Sequence, residues 1–182
     1  MLIIFNSKGK YKVKISVFVD GANVFYMQKD ELKWWINFEK LLRWIENKTA
    51  GEIIDAYYYV GEENPPDTRQ QGFLTALADI GYSIITKELK IIVLDDGREI
   101  RKANLDIEIV LDMFNTIENY DMAILVSGDG DFERPLRLLR ARGKRFMVMS
   151  TKRFIARELR EVAGMHFVDF EDIRSEVQKD VL

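Results

Sequence analysis

Val17-Phe18-Val19-Asp20-Gly21-Ala22-Asn23 decides the fold: an unbroken apolar, β-branched run passes straight into a carboxylate, a glycine and an asparagine. A strand buried on both faces of a parallel sheet reads as such a run, and the residues after it emerge at the carboxyl edge. The pattern returns in Ala123-Ile124-Leu125-Val126-Ser127-Gly128-Asp129-Gly130-Asp131-Phe132. In open α/β folds that edge is where ligands bind, above all where the strand order reverses. Two strand ends therefore deliver carboxylates to one rim, an arrangement suited to a hard metal ion.

Outward from these strands, the chain alternates strand and helix signals. Phe38, Leu41, Leu42 and Ile45 lie at helical spacing, and Asn47 to Gly51 end that helix. Ile53 to Val60 reads as a strand, 61–67 as a loop, and Thr68 to Ile80 as a helix stopped by Gly81. Tyr82 to Leu94 is strand-like, and the turn signal Asp95-Asp96-Gly97 leads to a returning arm at Arg98–Arg101, so a β-hairpin insertion is expected near 90–101. Asn104 is placed to cap a helix from Leu105 to Ile117. Met122–Val126, Arg145–Met149 and Met165–Val168 read as further strands, with helices at Phe132–Arg142 and Phe154–Val162. Pro135 sits in the first turn of the former, where its missing N–H costs nothing, and Gly143 ends it. This alternation predicts a three-layer α/β sandwich with a mainly parallel sheet. One domain spans 15–170; residues 1–14 read as an edge strand or extension and 171–182 as a C-terminal helix or tail.

Composition narrows the chemistry. The 182 residues, 47% of them hydrophobic, suit one compact domain. No apolar run approaches the roughly 18 residues that span a bilayer. The opening Met1-Leu2-Ile3-Ile4-Phe5 lacks the basic and long apolar regions of a signal peptide, so a cytoplasmic protein is expected. Cysteine is absent and histidine occurs once, at His166, which excludes thiolate chemistry and any imidazole-rich zinc site. A metal must be held by oxygen, which favours Mg²⁺ or Mn²⁺.

The formal net charge is −3, but its distribution is uneven. Arg134, Arg137, Arg140, Arg142, Lys144, Arg145, Lys152, Arg153, Arg157 and Arg160 share their stretch with a single acid, Glu158. A basic face beside clustered carboxylates fits a site that cleaves a polyanion; two helices with solvated arginine faces fit the same pattern.

Asp20 ends a buried strand, where an unpaired carboxylate is costly, and this marks it as functional. Gly21 permits close approach, and Asn23 can brace the turn or cap the next helix. Asp129 stands between two glycines just past a strand end, while Asp131 can equally cap the helix beginning at Phe132. Ser127 is a further oxygen donor. The helix after Asn104 is apolar nearly all round, so Asp106, Glu108 and Asp112 are not a solvated face. Asp106 lies in its first turn, favourably placed for the helix dipole. Asp112 is six residues on, roughly 240° around the helix at 3.6 residues per turn, and can serve the same pocket only if the pocket wraps the helix. Lys102 precedes the helix and could meet a phosphate.

The segments Val-Asp-Gly-Ala-Asn (19–23), Lys-Ala-Asn-Leu-Asp-Ile-Glu-Ile-Val-Leu-Asp (102–112) and Ser-Gly-Asp-Gly-Asp-Phe (127–132) resemble the NYN domain, in its LabA-like or DUF88 branch of the PIN-like nuclease superfamily. The resemblance covers about residues 15–170. It implies a Rossmann-like sheet of order 3-2-1-4-5 and an Mg²⁺- or Mn²⁺-dependent ribonuclease site. The acidic set carried over is Asp20, Asp106, Asp129 and Asp131, with Asp112, Asn23 and Ser127 in support. The family often has Lys-Gly-Val-Asp where this chain has the longer Lys102-Ala103-Asn104-Leu105-Asp106, which weakens the carry-over at Lys102.

The expected function is hydrolysis of RNA phosphodiesters, with single-stranded RNA as partner. Lys102, Arg134, Lys152, Arg153 and Arg157 would follow the backbone, and Tyr26, Trp34 and Trp35 could stack on bases, though core packing explains one or two of these aromatics as readily. Haloacid-dehalogenase-type phosphatase chemistry needs a second aspartate two beyond Asp20, where Ala22 stands. A topoisomerase-primase-like site would want glutamate in place of Asp20. The serious alternative is a non-catalytic RNA- or protein-binding regulatory module that retains an acidic metal pocket. On either view the hairpin is a candidate partner or homodimer surface.

Overall fold

The computed structural model of the protein describes residues 12–62, 67–93 and 99–180, with the side chains of 91–93 and 99–102 outside that description. The expected N-terminal edge strand, as far as residue 11, and the turn at Asp95–Gly97 lie outside the described residues.

The first core strand, β1 (Lys14–Asp20), runs into a short helix α1 (Gly21–Tyr26), a π-helical turn (Met27–Leu32) and helix α2 (Phe38–Thr49). Strand β2 (Glu52–Glu62), helix α3 (Thr68–Ile80) and strand β3 (Ser83–Glu88) complete the first half. The hairpin β4 (Lys90–Val93) and β5 (Glu99–Lys102) precedes helix α4 (Asp106–Asn115). The second half comprises β6 (Met122–Val126), α5 (Glu133–Ala141), β7 (Arg145–Ser150), α6 (Arg157–Ala163), β8 (Phe167–Asp169) and α7 (Arg174–Val177).

Six strands form one sheet of order β3-β2-β1-β6-β7-β8, and every neighbouring pair is parallel. Counting core strands alone, the order is 3-2-1-4-5-6, as expected but extended by one edge strand. The hairpin pairs antiparallel as a separate two-stranded sheet. The apolar stretch from Tyr82 is therefore two strands rather than one: it breaks at Leu89, whose amide donates to the Glu62 carbonyl.

Side chains on a strand alternate between faces, and the central strands use both. Val17, Val19, Ile124, Val126 and Met149 point to one core with Val24, Leu41, Ile45, Leu74 and Leu77, from α1, α2 and α3. Phe18, Leu125 and Val148 point to a second core with Ile109, Met113, Leu136, Leu139 and Leu159, from α4, α5 and α6. Helices on both faces are what lets a parallel sheet be apolar on both.

Of the helix or tail expected for 171–182, the structure forms helix α7, and its apolar side joins the first core. Phe170, Ile173 and Val177 are buried there, and Ile36 bridges to Gln178. Trp34, expected as a base-stacking candidate, is only 3% exposed beneath the Arg174 guanidinium. Helix α6 starts three residues later than its periodicity implies. The amides of Phe154 and Ile155 donate to the Thr151 carbonyl, and that of Ala156 to the Gly128 carbonyl, so the chain makes a loop contact before it coils.

Candidate functional site

The chain order β1-β2-β3 moves one way across the sheet, and β6-β7-β8 moves the other. The reversal lies between β1 and β6, the place where open α/β sheets carry their ligands at the carboxyl edge. Asp20 ends β1 at that point, and Ser127 to Asp131 come directly after β6.

Asp20 is 8% exposed and fully engaged. Its Oδ1 accepts from the Asn23 amide at 3.1 Å, capping α1, and its Oδ2 accepts from the Ser127 hydroxyl at 3.0 Å. Ser127 Oγ in turn accepts from the Asp129 amide at 3.1 Å, and Asp129 Oδ1 accepts from the Asp131 amide at 2.9 Å. The Asn23 side-chain oxygen accepts from the Gly128 amide at 2.8 Å. Side chains that the sequence marks separately thus tie the two strand ends together.

This network requires glycine at position 21, and at 130 glycine lets the Glu158 side chain approach closely. A Cβ on Gly21 would lie 2.5 Å from the Tyr59 carbonyl oxygen and 2.6 Å from Tyr58 Cε1. One on Gly130 would lie 2.2 Å from Glu158 Oε1, so α6 brings a further carboxylate against the loop that carries Asp129 and Asp131. Glu158 gives no sequence signal beyond being the lone acid in a basic stretch, because the contact depends on how α6 packs.

Asp106 opens α4. Asn104 Oδ1 accepts from the Asp106 amide at 2.9 Å, and Lys87 from β3 holds the same corner by donating to the Asn104 carbonyl and pairing with Glu108 at 2.6 Å. Leu105, not Asn104, is the cap residue by backbone geometry, though the Asn104 side chain makes the capping bond. The carboxylates sense one another: burial, then the negative charges of Asp106 and Asp129, push the Asp20 carboxyl up from 3.8 to about 6 against the lowering effect of its two hydrogen bonds.

Other candidates fall elsewhere. Asp112 accepts from the Tyr59 hydroxyl at 2.9 Å and is committed there. Asp131 is exposed; the expected capping role falls to Asp129, which caps a single 3₁₀ turn, Gly130–Phe132, ahead of α5. The Lys102 side chain lies outside the described residues. In the basic stretch, Lys152 pairs with Asp169 and Asp172, and Arg157 with Glu161. Arg140 and Arg160 lie over the rings of Phe146 and Phe167. Arg134 and Arg153 reach solvent, with no side-chain hydrogen bond or ion pair among the described residues. The basic stretch is therefore less uniformly available than its composition implies: the exposed Arg157–Glu161 pair is weak, but Lys152 is held by the buried Asp169 carboxylate.

The donor set can be tested against a metal. Its oxygens are hard donors, and the mutual repulsion felt by Asp20 is relieved by a cation. Among the described residues, no three His, Asp or Glu side chains lie together closely enough to hold an ion by themselves. Mg²⁺ commonly takes one or two carboxylates and fills its remaining positions with water. The residues fit an ion of that kind, and not one that needs a closed protein cage.

The NYN domain model matches residues 14–173. The low amplitude and bright protein LabA of Synechococcus elongatus is 44% identical over 168 residues, which make up 91% of this chain and 88% of that protein. The crystal structure of a protein of unknown function from Vibrio parahaemolyticus aligns with a TM-score of 0.74 at 27% identity, covering 92% of this chain and 97% of the other.

Proposed function

The chain belongs to the NYN domain family, and from that premise we propose that it is a divalent-metal-dependent ribonuclease that hydrolyses phosphodiester bonds in single-stranded RNA. One observation carries the reading: Asp20 at the end of β1 and Asp129 after β6 are joined through the Ser127 hydroxyl at the point where the strand order reverses.

One or two of Asp20, Asp106 and Asp129 would hold Mg²⁺ or Mn²⁺, with water in its remaining positions and Asp131 at the solvent side. When bound, such an ion supplies Lewis acidity toward a phosphoryl oxygen and an attacking water. The chain itself supplies positioning. Ser127 holds the Asp20 carboxylate in one orientation while receiving the Asp129 amide, so both acids are fixed before substrate arrives. Asn23 locks the glycine loop to α1. Arg134, close after this loop in sequence, and Arg153 supply charge for the RNA backbone.

Cleavage of end-labelled single-stranded RNA in Mn²⁺, Mg²⁺ and EDTA tests this reading, with Asp129→Asn and Asp20→Asn as controls. Metal-dependent cleavage reduced about a hundredfold or more in both variants is the expected result. Equal activity in wild type and variants would reject the assignment.

A second reading, a non-catalytic RNA- or protein-binding regulatory module, is favoured by the engagement of both Asp20 carboxylate oxygens by the Asn23 amide and the Ser127 hydroxyl. It predicts RNA or protein binding without cleavage in any metal.

A further inference from the structure

Next to the acidic rim lies a feature that hydrolysis does not use. Phe25, Trp35 and Phe73 are 45%, 49% and 42% exposed. A single exposed aromatic is ordinary, but three around one opening mark a binding surface. They surround a cavity of about 230 Å³, also lined by Gln28, Tyr58 and Lys179.

The walls are built rather than loose. Gln28, 4% exposed, accepts from the Ile36 amide through Oε1 at 2.7 Å, and the Lys179 amide donates to the Trp35 carbonyl at 2.8 Å. The Phe25 and Trp35 ring centroids lie 6.0 Å apart with their planes 42° from one another, and Tyr58 meets Phe73 edge-on at 5.7 Å. Two cations flank these rings: Lys179 at the cavity, and Lys29, whose ammonium lies 5.9 Å from the Phe25 centroid.

The cavity shares structural elements with the acidic site. Phe25 belongs to the helix that Asp20 caps. The Tyr58 ring that lines the cavity packs against Gly21, where even a methyl group would lie 2.6 Å from it. Flat aromatic walls with cations beside them, and no acid in the lining among the described residues, match a planar base attached to a phosphate.

We propose that this cavity is a nucleobase subsite: one unpaired base of a single-stranded RNA stacks against Trp35 and Phe25, Lys179 or Lys29 meets its phosphate, and an adjoining phosphodiester is carried to the acidic rim. The subsite rests on the ribonuclease reading for its substrate but not for its test, which is binding without cleavage.

The experiment is fluorescence anisotropy of a short labelled RNA in EDTA, with the intact strand and with strands carrying one abasic position each. Wild type, Trp35→Ala and Phe25→Ala are compared; both side chains are half exposed, so unchanged melting temperatures verify the folds. Each variant is expected to bind the intact strand about five-fold or more weakly, the effect of losing one stacked base. One abasic position should weaken wild type similarly and cost the variants nothing further, since the two changes remove the same contact.

Equal binding by wild type and variants, with wild-type cleavage in Mn²⁺ intact, overturns the subsite and leaves the ribonuclease. The predicted abasic coupling without cleavage in any metal upholds the subsite and rejects the ribonuclease. No RNA binding by wild type, with light scattering showing a dimer that Trp35→Ala dissociates, overturns the subsite and assigns the aromatic face to a second copy of the chain.

Discussion

Asp20 carries the sharpest consequence at the scale of a residue. Its folded-state carboxyl is raised from 3.8 to about 6, mainly by burial. Between those values the folded protein holds a proton that the unfolded chain has released, so stability falls as pH rises through this window. In metal-free protein the ionised side chain, present at neutral pH, therefore costs about 3 kcal/mol relative to acid below the unfolded value, because each tenfold step in acidity between the two values is worth about 1.36 kcal/mol. Urea unfolding of wild type and Asp20→Asn at both pH values should show the variant gaining that amount on wild type as pH rises. A difference independent of pH would mean that the carboxyl is not held in a buried, negatively charged setting. Asp20, Asn23, Ser127 and Asp129 are legible in the sequence because each sits at a fixed step from a strand end. Tyr59 as the partner of Asp112, Glu158 against Gly130 and Tyr58 against Gly21 are not: each pairing is set by packing between distant segments.

At the scale of an element, the boundaries of α3 and β6 are readable because their caps and apolar runs are local, Gly81 in the left-handed region among them. Whether the C-terminal segment is a docked helix or a tail is left open by its sequence for the opposite reason. Its polar residues outnumber its apolar ones, and only the tertiary structure shows that Phe170, Ile173 and Val177 fill a gap against α2 and the Trp34 region. Phe170 is fully buried, so Phe170→Ala leaves a cavity as well as losing its transfer energy, and a cost of about 3–5 kcal/mol is expected. Denaturant titration checks this. A loss below about 1 kcal/mol, the level of an ordinary surface change, would mean that the segment frays from the sheet and does not belong to the core. The same reasoning accounts for the late start of α6: the amide of Ala156 is engaged by Gly128, so the loop after β7 is shaped by the acidic site and not by helix periodicity.

At the scale of the whole molecule, the reversal of strand order between β1 and β6 and the carboxylates at that rim are one fact seen twice. A parallel sheet that grows outward in both directions from β1 leaves its central strand ends uncovered, and the acids occupy that opening. Strand and helix alternation lets all six strands be anticipated, the short edge strand β8 among them, whereas the five-strand order implied by the family resemblance stops one strand short. Because Asp20, Asp106 and Asp129 come from segments far apart in the chain, an ion that binds them binds the folded state and not the unfolded one. Its stabilisation should then follow mass action, about 2.7 kcal/mol at a free concentration about 100 times the dissociation constant. Thermal unfolding of wild type at neutral pH should therefore shift upward progressively with added Mn²⁺ and return on chelation with EDTA. Asp129→Asn should start more stable in EDTA, since one of the charges repelling Asp20 is gone, and should gain less from Mn²⁺. This combination of a higher start and a smaller gain separates a binding site from a general salt effect, which would raise both proteins alike. Parallel shifts in wild type and variant would place the ion away from the rim and detach the acidic cluster from metal chemistry.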